Sequence, residues 1–196
     1  MAQQVRLRRL RIDDRESARL IHHACLQEGS VFLLDYEPSW SWNHYLKHLD
    51  TLESRDGLPD GRMPATFFVA TLEQNDEILG RISLRHTIST PYLSKVGGHI
   101  GYVVTPWQRR RGYGTLMLKA ALRQAQSLGI ARVLVTTKED NQGSQTIIER
   151  CGGVLEETTE YSEEPGLRRY WIPLSTEMQQ DTETSSITEH SHEQDH

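Results

Sequence analysis

Residues 100–115 constrain the fold most, because a strand, a basic turn and the start of a helix follow one another directly there. Residues 102–104 form an aromatic and β-branched run, and Pro106 ends it because proline cannot continue a strand ladder. From Leu116 the apolar residues recur at helical spacing until Gly129 stops the pattern. A strand therefore leads into a helix through a short turn that contains three arginines and two glycines.

The turn at residues 109–114 is predicted to bind an anion. Its glycines allow a tight bend that exposes successive backbone N–H groups, and the N-terminus of the helix adds a partial positive charge. These properties suit a phosphate or a pyrophosphate. A dinucleotide fingerprint needs three glycines and a P-loop ends in Gly-Lys-Ser/Thr, whereas this turn has only Gly112 and Gly114, and Thr115 follows without a lysine.

The pattern Arg109-x-x-Gly112-x-Gly114 resembles the pyrophosphate loop of the GNAT acetyltransferases, which bind acetyl-CoA. A solvated basic surface turn is the alternative, and the strand and helix on either side favour the family. The resemblance implies an α/β fold whose mixed, mostly antiparallel central sheet is splayed at the acyl-CoA cleft and flanked by helices. Residues 97–102 and 169–171 resemble a little-characterised bacterial branch of this superfamily.

A second segment, residues 131–153, is also similar to the GNAT pattern. Residues 131–137 predict a strand, and Asn141 is a good N-cap for a short helix that Gly152 and Gly153 end. In the family, an asparagine at this place contacts the pantetheine arm of CoA. A plain helix cap is the alternative role, and the two roles can coexist.

Charge and composition predict one domain at residues 1–174 and a disordered tail at 175–196. The tail contains six of the 27 acidic residues, no Lys or Arg and a single Ile, so it cannot bury enough apolar surface to fold. The remaining 21 acidic and 22 basic residues give the domain a net charge of +1 with one basic cluster. Nucleic-acid binding needs a broader positive face, and we therefore expect none.

The rest of the chain predicts strands near residues 5–10, 66–72, 78–86, 96–104, 154 onward and 167–174, with helices at 13–29 and 38–55. Leu20 is expected on the apolar face of the first helix, and the Trp40-Ser41-Trp42 segment is expected to be exposed. Cys25 and Cys151 are expected to be reduced core residues, without a disulfide or a metal. The basic N-terminus lacks a following apolar core and no segment is long enough to span a membrane, so we expect a cytoplasmic protein.

The resemblance implies acetyl-CoA as co-substrate and no metal. Pantetheine would pair with the backbone where the strand at 103–104 separates from the strand at 133–135, and the turn would hold the pyrophosphate. The residues so implied for cofactor binding are Val103, Val104, Arg109, Arg110, Arg111, Gly112, Tyr113, Gly114, Thr115 and Asn141.

The catalytic groups depart from the best-known relatives. A tyrosine that many relatives place seven residues after the asparagine is Ile148 here, and a glutamate that some place five residues before it is Thr136. The base positions of other relatives align with Gly98 or Ile100, so strand alternation turns His99 to the opposite face unless a bulge adds one residue. His99 remains a candidate base, with a structural role as the alternative, and Tyr102 is a candidate acid whose alternative role is core packing.

Acceptor binding is predicted at Asp35, Tyr36 and Glu37, between the first two helices, and at the hairpin around residues 161–166. Carboxylates beside an apolar wall suit a cationic amine, provided that Asp35 and Glu37 do not face solvent. The sequence thus predicts an acetyl-CoA-dependent N-acetyltransferase, an acyltransferase that acts on a primary amine of a small molecule or peptide by direct attack in a ternary complex. A non-catalytic acyl-CoA sensor is the alternative, and dimers are common in the family, so a homodimer is compatible with the resemblance.

Overall fold

The computed structural model describes residues 4–56, 58–59, 61–157 and 164–174. The predicted tail at 175–196 and the first half of the predicted hairpin, residues 161–163, lie outside these residues. No helix within the described ranges is both long enough and apolar enough to cross a membrane.

The elements follow the predicted order and confirm an α/β fold. They are β1 (Val5–Arg8), α1 (Arg15–Gln27), α2 (Trp42–Thr51), β2 (Ala65–Leu72), β3 (Ile78–Arg85), β4 (Ile100–Val104), α3 (Tyr113–Ser127), β5 (Arg132–Lys138), α4 (Gln142–Arg150), β6 (Val154–Leu155) and β7 (Leu167–Pro173). Short 3-10 turns lie at Ile12–Asp14 and Pro106–Gln108, and a π-helical turn lies at Leu93–Gly97.

The strands form two antiparallel sheets that touch at one place. One sheet has the order β1-β2-β3-β4 and the other the order β5-β7-β6. In the described part of the chain, β4 is paired only with β3 and β5 only with β7. Just before β4, the His99 N–H donates to the Leu134 carbonyl at 2.8 Å, so the sheets are joined there and separate beyond it.

Strand alternation in β3 separates two hydrophobic clusters. Ile82 and Leu84 belong to the cluster that includes Met117 and Leu118 of α3, together with buried residues of β5 and β7. The opposite cluster includes Ile21 of α1 and Tyr45 of α2, together with residues of β2. The four-stranded sheet therefore lies between α1 and α2 on one face and α3 on the other.

Several predicted boundaries and exposures differ from the structure. The helix predicted at 38–55 is shorter, because Ser41 caps α2 by accepting the His44 N–H. The strand predicted from residue 96 begins at Ile100, after the π-helical turn and Gly98.

Side-chain burial also departs from the sequence pattern at two residues. Leu20 is 64% exposed and does not join the core face of α1. Trp42 is buried and donates its indole N–H to the Arg11 carbonyl, so the Trp-rich segment is not exposed as predicted. The local pattern could not show this bond, because it joins residues 31 positions apart.

Replacing Gly98 with alanine should weaken the join between the sheets. Gly98 has a φ of +63°, and a Cβ there would lie 2.7 Å from the Leu134 carbonyl oxygen. Gly129 also has a positive φ, of +76°, but open space around it, so Gly129→Ala measures the cost of a positive φ without a close contact, about 1–2 kcal/mol. Overlap with the backbone of β5 should add about 1–3 kcal/mol in Gly98→Ala, measured as the free energy of unfolding in denaturant. Equal losses of unfolding free energy in the two variants would show that residue 98 does not closely contact the Leu134 carbonyl.

Candidate functional site

The turn between β4 and α3 presents a row of backbone N–H groups. Arg110 and Gly112 have positive φ values of 63° and 82°, a conformation that is uncommon for arginine and ordinary for glycine. The backbone N–H groups of residues 110–114 donate to no carbonyl of the described residues, because they precede the first hydrogen bonds of α3. Free N–H groups at the start of a helix of 15 residues form a concave site for an anion.

The three arginines of this turn have different surroundings. Arg109 forms an ion pair with Glu28 at 2.5 Å, and its Nε donates to the Val104 carbonyl at 3.3 Å. Arg111 donates to the Gln108 side chain at 3.1 Å. Arg110 is exposed and makes no side-chain hydrogen bond to the part of the chain that the structure describes. Arg110 is therefore the most available of the three for a new charged contact.

A hydrogen bond crosses from β4 to α4 beside this turn. The hydroxyls of Tyr102 and Ser144 lie 2.8 Å apart, and the Ser144 N–H donates to the Asn141 side chain at 3.0 Å. Asn141 is thus the N-cap of α4, as predicted. Burial raises the pKa of Tyr102 to about 12, so its hydroxyl keeps its proton at neutral pH. The contact between Tyr102 and Ser144 therefore connects β4 with the start of α4.

His99 is bound on the side of β5 and is uncharged at neutral pH. It is 7% exposed, and its Nδ1 accepts the Leu134 N–H at 3.0 Å. Its ring also lies edge-on to Trp171, with centroids 6.5 Å apart. Burial, with a smaller contribution from the positive charge of Arg85, lowers the pKa of His99 to about 4. The side chain thus strengthens the join made by its own backbone N–H.

The two positions at which relatives carry catalytic groups hold no proton donor or acceptor that is free to react. Ile148 is fully buried in the core. The Thr136 hydroxyl donates to the Val96 carbonyl at 2.6 Å. In the described ranges, no group of three or more His, Cys, Asp and Glu side chains is arranged to hold a metal ion.

The predicted acceptor residues lie together between α1 and α2, but Asp35 is already paired. Both Asp35 carboxylate oxygens accept hydrogen bonds from Arg62, which lowers the pKa of Asp35. Glu37 is exposed, and the Tyr36 ring packs edge-on against Tyr45 with centroids 5.1 Å apart. The condition for predicting a cationic acceptor, carboxylates turned from solvent toward an apolar wall, is therefore not met.

Comparison with known proteins identifies the family of the chain. A family model described as an acetyltransferase (GNAT) domain matches residues 4–154, which include β1 to α4 and the turn described above. The chain belongs to the GNAT acetyltransferase family. Comparison with curated proteins gave no match.

Solved structures share the fold of this GNAT domain at low sequence identity. RimJ from Mycobacterium smegmatis, in complex with CoA-disulfide, has a TM-score of 0.59 at 18% identity, over 89% of this chain and 86% of that one. An acetyltransferase from Agrobacterium tumefaciens has a TM-score of 0.58 at 18% identity, over 89% and 95%. Spermidine N-acetyltransferase from Vibrio cholerae, in complex with CoA and spermine, has a TM-score of 0.56 at 20% identity, over 87% and 95%.

Sequence reasoning brought the main parts of the site together and missed some of their partners. Ser144 is not among the predicted site residues, although its place three residues after an N-cap turns its backbone N–H toward the cap side chain. Glu28 was not considered as a partner for Arg109, since the two are far apart in sequence. No sequence signal would have revealed that pair.

The low pKa of His99 predicts acid sensitivity. Between pH 6.5 and about 4, the unfolded chain takes up a proton at His99 that the folded protein does not, so stability falls as the pH is lowered through this range. Above pH 6.5 the free energy of unfolding is about 3 kcal/mol higher than below pH 4 because of this one group. His99→Asn keeps an acceptor for the Leu134 N–H and does not titrate, so its free energy of unfolding should fall less between pH 7 and 4.5. The control is His23→Asn at an exposed histidine, whose stability should depend on pH as that of the wild type does. Identical pH profiles for His99→Asn and the wild type would contradict the prediction that His99 causes the acid sensitivity.

Proposed function

We propose that this GNAT domain transfers the acetyl group of acetyl-CoA to a primary amine by direct attack in a ternary complex. Acetyl transfer itself follows from family membership. The observation that supports the site is the row of free N–H groups at residues 110–114, next to a cleft between β4 and β5. The two neighbours solved with CoA or CoA-disulfide have the same fold, which is compatible with acetyl-CoA as co-substrate.

The proposed cofactor contacts follow from the geometry of the cleft. The pyrophosphate would accept hydrogen bonds from the turn at residues 110–114, and the pantetheine arm would pass Val103, Val104 and Asn141. Arg110 would add a charge-assisted contact to a phosphate, because its guanidinium is exposed beside the turn.

Tyr102 is proposed as the proton donor of the reaction. The amine nitrogen attacks the thioester carbonyl carbon, the C–S bond breaks, and the thiolate of CoA must receive a proton while the new amide nitrogen loses one. The Tyr102 hydroxyl is protonated at neutral pH and lies on β4 facing α4. To protonate the departing thiolate it would exchange its hydrogen bond with the Ser144 hydroxyl for one to the sulfur. We assign the amine proton to water, because the accepting Nδ1 of His99 is occupied by Leu134.

A non-catalytic acyl-CoA sensor is the second candidate. The buried Ile148 and the bonded Thr136 favour it, because both lie where relatives have reactive groups. The sensor and the enzyme share the cofactor cleft and differ only in turnover. Thiol release from acetyl-CoA in the presence of a panel of amines therefore distinguishes them, provided that acetyl-CoA binding is shown first by calorimetry.

Tyr102→Phe should lower kcat by about 100-fold or more, while the Kd for acetyl-CoA changes little, since the lost hydroxyl acts on the leaving group. Tyr170→Phe is the matched control, because it removes a buried hydroxyl that is bonded to Glu149, away from β4. Thiol release and calorimetry measure the two quantities. Unchanged kcat in Tyr102→Phe would assign the hydroxyl to core packing instead.

Arg110→Gln should weaken acetyl-CoA binding by about 5- to 10-fold, and more at low salt than at high salt, because an exposed charged contact is screened. Arg123→Gln on the exposed side of α3 removes the same charge without touching the turn and should leave the Kd unchanged. Calorimetric titration at two salt concentrations checks both. If the two substitutions change the Kd equally, Arg110 acts only through the net charge of the protein and not through a contact with a phosphate.

A further inference from the structure

A cavity of about 530 Å³ lies on the α1/α2 face of the four-stranded sheet. Its walls come from α2, β2, β3 and the segment just before β4, and they are mainly apolar, with Leu34, Phe67 and Leu93 among them. Its charged lining residues are Asp35, Arg62 and Arg85. This size and lining are typical of sites for small organic molecules.

Arg85 leaves the cavity with an unbalanced positive charge. Asp35 and Arg62 neutralise each other through two hydrogen bonds. In the described part of the chain, no carboxylate lies within 4 Å of the Arg85 guanidinium, and partial burial lowers the pKa of Arg85. An arginine keeps its proton even so, which leaves a poorly solvated cation in an apolar cavity.

The guanidinium of Arg85 is held in place by hydrogen bonds from one of its nitrogens, and its other N–H donors are not used by the part of the chain that the structure describes. Its Nη1 donates to the Gly97 and Gly98 carbonyls at 3.2 and 3.1 Å, and its backbone N–H donates to the His99 carbonyl at 2.8 Å. Its Nε and Nη2 donate to none of the described residues. An arginine held by one nitrogen, with its other donors free, is suited to a carboxylate, which can accept two parallel hydrogen bonds.

The cavity is next to the strand that borders the cleft. Ser83, which lines the cavity, is the cross-strand partner of Gly101 on β4, two residues before Val103. Strand alternation places Ser83 and Arg85 on the same face of β3. Because the strand rises about 3.3 Å per residue, the backbone at Arg85 lies about 7 Å from that at Ser83. A molecule whose amine lies beside β4 could therefore place an anionic group, several bonds away, against the Arg85 guanidinium.

We infer that the acceptor of this GNAT domain is an amine that also carries a carboxylate, such as an amino acid or a short peptide, and that Arg85 binds the carboxylate in this cavity. The inference rests on the proposed acetyl transfer, for which it names the acceptor class. Arg85 is a specificity-determining residue here, and it takes no part in moving protons.

The test compares pairs of acceptors that differ only in the carboxylate. A series of ω-amino acids of increasing length, together with glycylglycine, is assayed beside the corresponding amino alcohols and glycylglycinamide by thiol release. At least one carboxylate should have a kcat/KM about 10- to 100-fold above that of its neutral partner. Arg85→Gln should abolish this preference, mainly through KM, with acetyl-CoA affinity unchanged, and Arg85→Lys should retain part of it.

The preference is a ratio within one variant, so a general folding defect in Arg85→Gln affects both members of a pair and cancels. Arg123→Gln should retain the wild-type ratio. Equal kcat/KM values within every pair in the wild type, or an unchanged preference in Arg85→Gln, would overturn the inference while leaving acetyl transfer intact.

A binding measurement covers the case in which no amine is turned over, which would contradict the proposed function instead. Calorimetry on the CoA-bound protein compares N-acetyl ω-amino acids with N-acetyl amino alcohols. Preferential binding of the carboxylates in the wild type, lost in Arg85→Gln, would still support the anion site. No preference would overturn it.

Discussion

The join between β4 and β5 at residues 98–99 is the contact on which the rest of the structure depends. The His99 backbone and side chain both bond to Leu134, so the two sheets are held together at one end and separate beyond it. Gly98 permits the approach, because a side chain there would overlap the β5 backbone. The His99 ring can accept the Leu134 N–H only while its Nδ1 carries no proton, so the shape of the cleft is linked to the neutral state of His99.

The turn at residues 109–114, where we propose that the cofactor binds, is supported by elements that precede it in the chain. Arg109 is held by Glu28 after α1, and Gln108 is held by Glu77 before β3. Thr105, at the end of β4, donates its backbone N–H to the Leu79 carbonyl. The position of the free N–H groups at 110–114 therefore depends on α1 and β3 as well as on α3. Charge pairs of this kind also keep Arg109 from competing with Arg110 for a bound anion.

The sequence predicted local features well and long-range contacts poorly. The strand–turn–helix segment, the Asn141 cap and the order of all the elements could be predicted because each depends on neighbouring residues. The side to which His99 turns was left open, since it depends on whether the strand is regular before Ile100, and a π-helical turn precedes it. The pairs Asp35–Arg62 and Trp42–Arg11 join residues about 30 positions apart, and only the folded chain brings them together. The orientation of the His99 ring is thus set by tertiary packing rather than by its own sequence pattern.

The two arginines on the same face of β3 show why burial alone does not identify a binding residue. Arg81 is 8% exposed, and its Nε, Nη1 and Nη2 all donate to the carbonyls of Val31 and Gly101. Its hydrogen-bonding capacity is used to hold the segment after α1 against β4, which is a structural role. Arg85 is less buried and uses only Nη1 toward the described residues, so its Nε and Nη2 stay open to water or to a ligand in the cavity. A carboxylate can accept hydrogen bonds from both free nitrogens. This difference in hydrogen bonding distinguishes Arg81, which holds the fold, from Arg85, which we propose selects the acceptor.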